Sequence, residues 1–159
     1  MANTRQGIIE RLVGIAVSRD IPIEHIEEGR HLLRGESTTV FFDVHEWGDG
    51  HLVHLFAPAV VEIPLRQHGD ALSFTNRLNR DSYFVKWVVQ EYEDEEQVRI
   101  FAECDLLADA LDAEEFLNAL ALVMNDVDSL DEGLASDLGG KTFVEATDGE
   151  ATDDEEVAG

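Results

Sequence analysis

Residues 37–63 read STTVFFDVHEWGDGHLVHLFAPAVVEI, and the predicted sheet is built outward from this stretch. Two runs rich in β-branched and aromatic residues, 39–45 and 52–56, lie on either side of Gly48-Asp49-Gly50. An Asp-Gly pair between two such runs is a strong hairpin signal. The sequence therefore predicts a β-hairpin with Asp49-Gly50 as its two-residue turn.

This turn would place Val44 opposite Leu55 and Phe42 opposite Ala57. Because side chains alternate along a strand, it also assigns each residue to a face of the sheet. The first face is apolar and carries Val40, Phe42, Val44, Val53, Leu55, Ala57 and Ala59. The second face is mixed and carries Phe41, Asp43, His45, Trp47, Leu52, His54 and Phe56. Pro58 lacks a backbone donor, so the second strand should be an edge or be bulged there.

Composition limits the classes of partner. The chain has 159 residues, enough for one domain, and a net charge of −24 from 35 acidic and 11 basic residues. Nucleic acids and anionic membranes bind mainly through Lys and Arg, so we expect neither as a partner. No apolar run is long enough to span a bilayer, and no export signal is recognisable. Since Cys104 is the only cysteine, a reducing cytoplasm is the expected location.

Apolar residues recur at helical spacing in three segments, namely 4–18, about 69–79, and the segment that starts at Asp112. Asn3 and Gln6 have capping-box spacing before the first helix, as have Asp112 and Glu115 before the last. Gly139-Gly140 should end the last helix. Residues 21–35 contain two candidate strands, of which we predict one short strand.

Residues 82–107 predict a second hairpin around an acidic loop at Glu93 to Glu96. A four-residue loop there pairs Trp87 with Ala102 and Val85 with Cys104 on a buried face. It also sets Lys86 opposite Glu103 and Gln90 opposite Arg99, and complementary charges support that register.

The elements thus follow the order α-β-β-β-α-β-β-α. This order predicts an α+β fold with an antiparallel sheet of about five strands and three helices. Residues 1–140 form a single domain, and residues 141–159 form a largely disordered acidic tail. The disorder is expected from Thr147 onward, where acids abound and almost nothing can be buried.

Several of these features together resemble the YbjN family. They are the element order, Asn76-Arg77-Leu78-Asn79-Arg80 directly before an aromatic strand, and Val127-Asp128-Ser129-Leu130 through Leu138-Gly139-Gly140. The resemblance covers about residues 4–140, and residues 21–35 depart from the usual short strand. It implies the fold of the type III secretion chaperones. It also implies a non-catalytic module that binds peptide or protein segments, commonly as a homodimer.

A different function would use a metal. In the predicted register His45 faces His54, with Asp43 two residues along, and two imidazoles and a carboxylate could bind Zn²⁺. The alternative is therefore a small metal-binding protein or metal-dependent enzyme. The ordinary interpretation is an amphipathic surface without metal, which we favour because zinc enzymes usually need three placed ligands and a supporting shell.

Catalytic and cofactor motifs are missing from the sequence. It has no G-x-S-x-G, Walker or G-x-G-x-x-G motif, so we expect no cofactor. Cys104 falls on a buried face, which favours an inert thiol. The acidity by itself is also compatible with a high-salt cytoplasm.

The second face needs an explanation because it carries much aromatic surface. Helices over the first face would leave it to water unless the second helix, a second subunit or a client protein covers it. Phe84 is also predicted on this face. We predict a protein-binding surface at Phe41, Trp47, Leu52, Phe56, Val88 and Phe101, since aromatic residues among a few charges are typical of interface cores.

Overall fold

The computed structural model describes residues 4–27, 29–92 and 95–156, with side chains up to residue 149. Its elements are α1 Arg5–Ser18, β1 Glu24–His25, β2 His31–Arg34, β3 Thr39–Trp47, β4 Gly50–Pro64, a 3-10 turn Leu65–Gln67, α2 His68–Asp81, β5 Lys86–Glu91, β6 Gln97–Leu107, α3 Ala113–Leu138 and α4 Phe143–Glu156. The strands form one antiparallel sheet in the order β1-β2-β3-β4-β6-β5. The fold is α+β, as predicted, with six strands and four α-helices.

The additional strand lies in residues 21–35, where the prediction of one strand is wrong. β1 pairs antiparallel with β2, and Gly29 lies between them with a φ of 79°. A two-residue strand is too short to show the alternation by which a sequence reveals strands. Pairing with β2 is what makes Glu24–His25 a strand.

The first hairpin forms, but its predicted register is wrong by two residues. Val44 pairs with Val53 and Phe42 with Leu55, so the loop is Gly48-Asp49. Gly48 has a φ of 58°, which suits glycine in the first loop position of a primed turn. Since a shift of two preserves the alternation, both faces keep the predicted residues.

The second hairpin has the predicted register. Lys86 pairs with Glu103, Trp87 with Ala102 and Gln90 with Arg99. β5 begins at Lys86, one residue after Val85, and Glu93 and Asp94 of the acidic loop lie outside the described residues. β4 is bulged after Pro58, as its missing donor suggested.

The main hydrophobic cluster lies on the first face. Its seven hairpin residues, Val40, Phe42, Val44, Val53, Leu55, Ala57 and Ala59, are completely buried. α1 packs against β3, α3 along β4, and α2 against β5. α2 lies on this same side, because Phe74 and Leu78 line a pocket with Leu130 and Leu134 of α3. The interpretation in which the second helix covers the second face is therefore wrong.

Helix ends follow the expected capping chemistry. Thr4 caps α1 by accepting from Gly7 N at 3.1 Å, whereas the predicted cap Asn3 lies outside the described residues. Asp112 caps α3 by accepting from Glu115 N at 2.8 Å. Gly139 ends α3 with a left-handed φ of 68°.

One carboxylate of α3 fastens the turn between β2 and β3. Asp128 accepts hydrogen bonds from the backbone amides of Glu36, Ser37 and Thr38 at 3.0–3.2 Å, and from Ser37 Oγ at 2.9 Å. Gly35 lies so close that a Cβ there would be 2.8 Å from Asp128 Oδ2. The helix and the hairpin are therefore tied by an ionised acceptor, which makes stronger hydrogen bonds than a neutral one.

A second acid of α3, Asp131, is fully buried nearby. Its Oδ1 accepts from Glu132 N at 2.7 Å, while Oδ2 has no hydrogen-bond partner among the described residues. Burial raises the pKa of this carboxyl and the negative charges of Asp128 and Glu132 raise it further, whereas the Ser37 hydroxyl and the Glu132 amide lower it.

The outer edge of β5 is closed by one side chain of α2. Asn79 Nδ2 donates to Trp87 O at 2.8 Å, and Asn79 Oδ1 accepts from Trp87 N at 2.7 Å. This amide makes the two hydrogen bonds that a neighbouring strand would make. It therefore prevents another strand from pairing at Trp87.

We predict that Asn79→Ala lowers the free energy of unfolding by about 1–2 kcal/mol, because two backbone groups of Trp87 lose their partner. Asn76→Ala, an exposed asparagine on the same helix, is the matched control and should change it by less than about 0.5 kcal/mol. Chemical denaturation followed by circular dichroism measures both values. Equal effects of the two substitutions would contradict the edge-closing role.

Asp131 predicts a pH dependence of stability. A carboxyl with a raised folded-state pKa binds more protons when folded, so its contribution to stability falls as pH rises from the ordinary aspartate pKa toward the folded one. Asp131→Asn removes this loss, and the stability of the variant relative to wild type should improve as the pH rises above about 4. Asp137→Asn, on an exposed position of α3, serves as control. A relative stability that is flat or falls over that range would oppose the assignment.

Candidate functional site

The second face is the largest part of the sheet that α1, α2 and α3 leave uncovered. Successive rows cross it from strand to strand, because paired residues project to the same side. From the tip of the first hairpin inward, the rows are His45, Leu52 and Leu107; then Asp43, His54 and Asp105; then Leu32, Phe41, Phe56, Glu103 and Lys86; then Pro58, Phe101 and Val88. The second row carries two carboxylates and a histidine, the first and fourth rows are mainly apolar, and the third joins aromatic residues to the ion pair of Glu103 and Lys86.

Aromatic rings form the centre of this face. Phe41 stacks on Phe56 with ring centroids 5.3 Å apart, and His54 also stacks on Phe56, at 5.1 Å. The guanidinium of Arg30 lies 5.5 Å from the Phe56 centroid. Phe41 and Phe56 are half-buried, so their rings are partly available to a partner.

Charged residues form a band beside the rings. The buried carboxylate of Asp43 contacts Arg30 at 3.3 Å and His45 at 2.5 Å. Lys86 reaches Glu103 at 3.1 Å and Asp105 at 3.5 Å, and these contacts raise the pKa of its ammonium group, Glu103 most of all. Lys86 therefore stays charged at neutral pH, and these ion pairs hold the side chains of the band in defined positions.

The predicted binding residues differ in accessibility. Trp47 is 64% exposed at the hairpin tip, whereas Phe101 is 9% exposed. Phe41, Leu52, Phe56 and Val88 are intermediate. The structure brings Phe41 and Phe56 into contact, and pairs Val88 with Phe101 on neighbouring strands.

Sequence reasoning missed Leu107 and Arg30 on this face, and it misplaced Phe84. Leu107 pairs with Leu52 and is 67% exposed, which the alternation of β6 could have revealed. Arg30 precedes β2 and comes near Phe56 only through the tertiary fold. Phe84 lies before β5 and lines an open pocket of about 510 Å³ with Cys104 and α3, on the first-face side.

The three candidate metal ligands lie close to one another but not in the predicted arrangement: Asp43 contacts His45, and the ring centroids of His45 and His54 are 6.2 Å apart. The predicted pairing of His45 with His54 is wrong, since His45 pairs with Leu52 and His54 with Asp43. Each imidazole contacts a different carboxylate. His45 Nε2 lies 2.5 Å from Asp43 Oδ1, and His54 Nδ1 lies 2.6 Å from Asp105 Oδ1. Within residues 4–27, 29–92 and 95–156, no group of three or more His, Cys, Asp or Glu is arranged to hold a metal ion.

Cys104 is buried, as predicted, and burial raises the pKa of its thiol. A raised pKa lowers the thiolate fraction and with it the reactivity. Of the helices in the described ranges, none has the length and apolar character needed to cross a membrane.

Residues 141–144, at the start of the predicted acidic tail, dock on the sheet, and α4 continues to Glu156 through residues for which the sequence predicted disorder. Lys141 exchanges two backbone hydrogen bonds with Val61 of β4, each 2.9 Å long. α4 then begins with a capping box in which Thr142 N donates to Glu145 Oε2 at 2.9 Å. The ring of Phe143 meets Phe41 edge-on at 6.0 Å. α4 thus borders the second face, and residues 157–159 lie outside the described part of the chain.

Three helices on one face of an antiparallel sheet, with a mixed aromatic face opposite, place the protein in the chaperone-like α+β class. The sequence profile of a family described as T3SS (YopN, CesT) and YbjN peptide-binding chaperone 1 matches residues 5–146. The chain therefore belongs to this family, in agreement with the resemblance to YbjN.

Two solved structures have a similar fold. The crystal structure of YbjN from E. coli superposes with a TM-score of 0.66 at 11% sequence identity, over 84% of this chain and 94% of that one. The ExsC–ExsE complex superposes with a TM-score of 0.55 at 16% identity, over 82% and 95%. Likeness at such identities shows the fold, and no curated protein matches the chain.

Proposed function

We propose that the protein is a non-catalytic, chaperone-like module that binds a segment of a client protein on the second face. The observation that carries this proposal is the stacked pair Phe41 and Phe56, half-exposed at the centre of a face that α1, α2 and α3 do not cover. Membership of a peptide-binding chaperone family supports it, as does the fold shared with a protein solved as the ExsC–ExsE complex. Cytoplasmic location stays a prediction.

The stacked rings at the centre of this face indicate the kind of segment that fits. An extended peptide places side chains about 6.6–6.8 Å apart on one side, so apolar residues at alternate positions could follow the rings. The net charge of −24 favours a cationic client, because attraction over the whole surface speeds encounter and repels acidic competitors. We therefore propose a client segment that alternates apolar and basic residues.

We also propose that two copies associate through the tip end of the sheet. β3 ends there, β4 begins, β6 ends and β5 begins, and several large apolar side chains are exposed around it. They are Trp47 at 64%, Tyr83 at 97%, Phe84 at 73% and Leu107 at 67%. Single apolar residues scattered over a surface need no explanation, whereas large apolar residues gathered at one end of a sheet are typical of an interface.

The client proposal predicts the effect of removing one ring. With a fluorescein-labelled peptide that alternates leucine and arginine, Phe56→Ser should weaken binding about ten-fold or more in fluorescence anisotropy, because an aromatic side chain at the centre of an interface contributes strongly. Leu72→Ser is the matched control, since Leu72 is 43% exposed on α2, away from this face.

A peptide that alternates serine and arginine measures binding by charge alone and should bind weakly at physiological salt. Binding of the leucine peptide that is unchanged in Phe56→Ser, or weakened equally in Leu72→Ser, would remove the second face as the client site.

The dimer proposal predicts that Leu107→Asp lowers the mass measured by light scattering from two copies to one, since a carboxylate would be buried in the interface. Leu65→Asp is the control, because Leu65 is 48% exposed just after the end of β4, at the opposite end of that strand from the tip. A monomeric wild-type protein, or a dimer that survives Leu107→Asp, would refute association through this end.

A further inference from the structure

The segment from Gly139 to Gly149, here called the arm, is attached to the sheet at a defined place. Gly140 approaches β4 so closely that a Cβ would lie 2.7 Å from Val61 O and 2.7 Å from a methyl group of Val60. Only glycine fits there without a shift of the backbone. Gly139 turns the chain out of α3, and Gly140 lets it reach β4.

The arm uses a position that β3 leaves open. The pairing of β3 with β4 extends to Phe41 and Phe56, and Lys141 joins β4 farther along, at Val61. Val144 N then donates to Ser37 O at 3.2 Å. An open cavity of about 360 Å³ remains between the arm and β2–β3, lined by Leu32, Arg34, Phe41, Phe143, Val144 and Asp148.

These contacts hold the arm against one end of the aromatic centre. Phe143 covers an edge of Phe41, and Phe41 is the ring that stacks on Phe56. The attachment includes one aromatic pair, one β-bridge, the hydrogen bond from Val144 to Ser37, and the ion pair of Lys141 with Glu62 at 2.7 Å. Residues 141–159 carry seven acids and one lysine, so the charge of the whole chain repels them.

We propose that the arm is a built-in competitor for the second face, and that a client displaces Phe143 from Phe41 when it binds. This inference rests on the proposed function. A cationic client favours the exchange, because it replaces an acidic segment on an acidic protein. The apparent affinity for client is then reduced by the fraction of molecules in which the arm is docked.

The test compares variants that keep the charge of the arm. Phe143→Ser removes the ring on Phe41, and Gly140→Ala pushes the chain off Val61. Both should bind the leucine–arginine peptide about three- to ten-fold more tightly than wild type. Gly149→Ala, where a Cβ meets nothing within 4 Å, is the control and should bind like wild type. Circular dichroism checks folding, and Phe143→Ser decides the result if Gly140→Ala unfolds.

Hydrogen exchange gives a second readout. Val61 N donates to Lys141 O, so peptide binding should speed exchange of the Val61 amide if the arm leaves. Unchanged or weaker binding by Phe143→Ser, or slower exchange at Val61, would overturn the inference. If Phe56→Ser still weakens binding in that case, the proposed function stands and the competitor alone fails. If Phe56→Ser binds like wild type, both fail.

Discussion

The alternation of side chains along β3 and β4 is the constraint on which the structure depends. Even-numbered residues of β3, from Val40 to Val44, and odd-numbered residues of β4, from Val53 to Ala57, are completely buried against helices. At about 25 cal/mol per Å² of apolar surface, burial of this kind provides most of the stabilisation of a domain. Because all of these side chains point to the first face, the side chains of the residues between them must point to the second face. A core on the first face therefore creates the second face.

Polar contacts then decide how the elements are joined to this core. Asp128 holds the turn between β2 and β3 with four hydrogen bonds, and Asn79 closes the edge of β5 at Trp87. Gly140 allows the chain to reach β4 at van der Waals distance. These residues belong to the segments through which the sequence resembles the YbjN family. Their contacts give those segments a physical role that does not depend on any client.

Much of the architecture could be predicted because its signals are local. The second hairpin has the predicted register, in which Lys86 lies opposite Glu103 and forms an ion pair with it. The first hairpin was misplaced by two residues because Gly48-Asp49 and Asp49-Gly50 are both acceptable turns, and both produce the same faces. A shift of two residues pairs His45 with Leu52 instead of His54. The predicted metal-ligand arrangement therefore depended on the exact register, which the alternation of side chains does not determine. The capping box of Thr142 and Glu145 was a local signal for α4 that the acidity of the segment obscured.

The α+β class, the two faces of the sheet and the aromatic character of the second face could be predicted from the sequence. The signals for them, namely periodicity, turns and charge pairs, act over a few residues. The position of α2 beside α1 and α3 on the first face and the contact of Phe143 with Phe41 follow from tertiary packing. The position of Arg30 near Phe56 has the same origin. Those contacts join residues that are far apart in the chain, so they form only when the helices and strands pack together. For the same reason, the sequence predicted that the second face is available for binding, whereas the fold decided which residues border it.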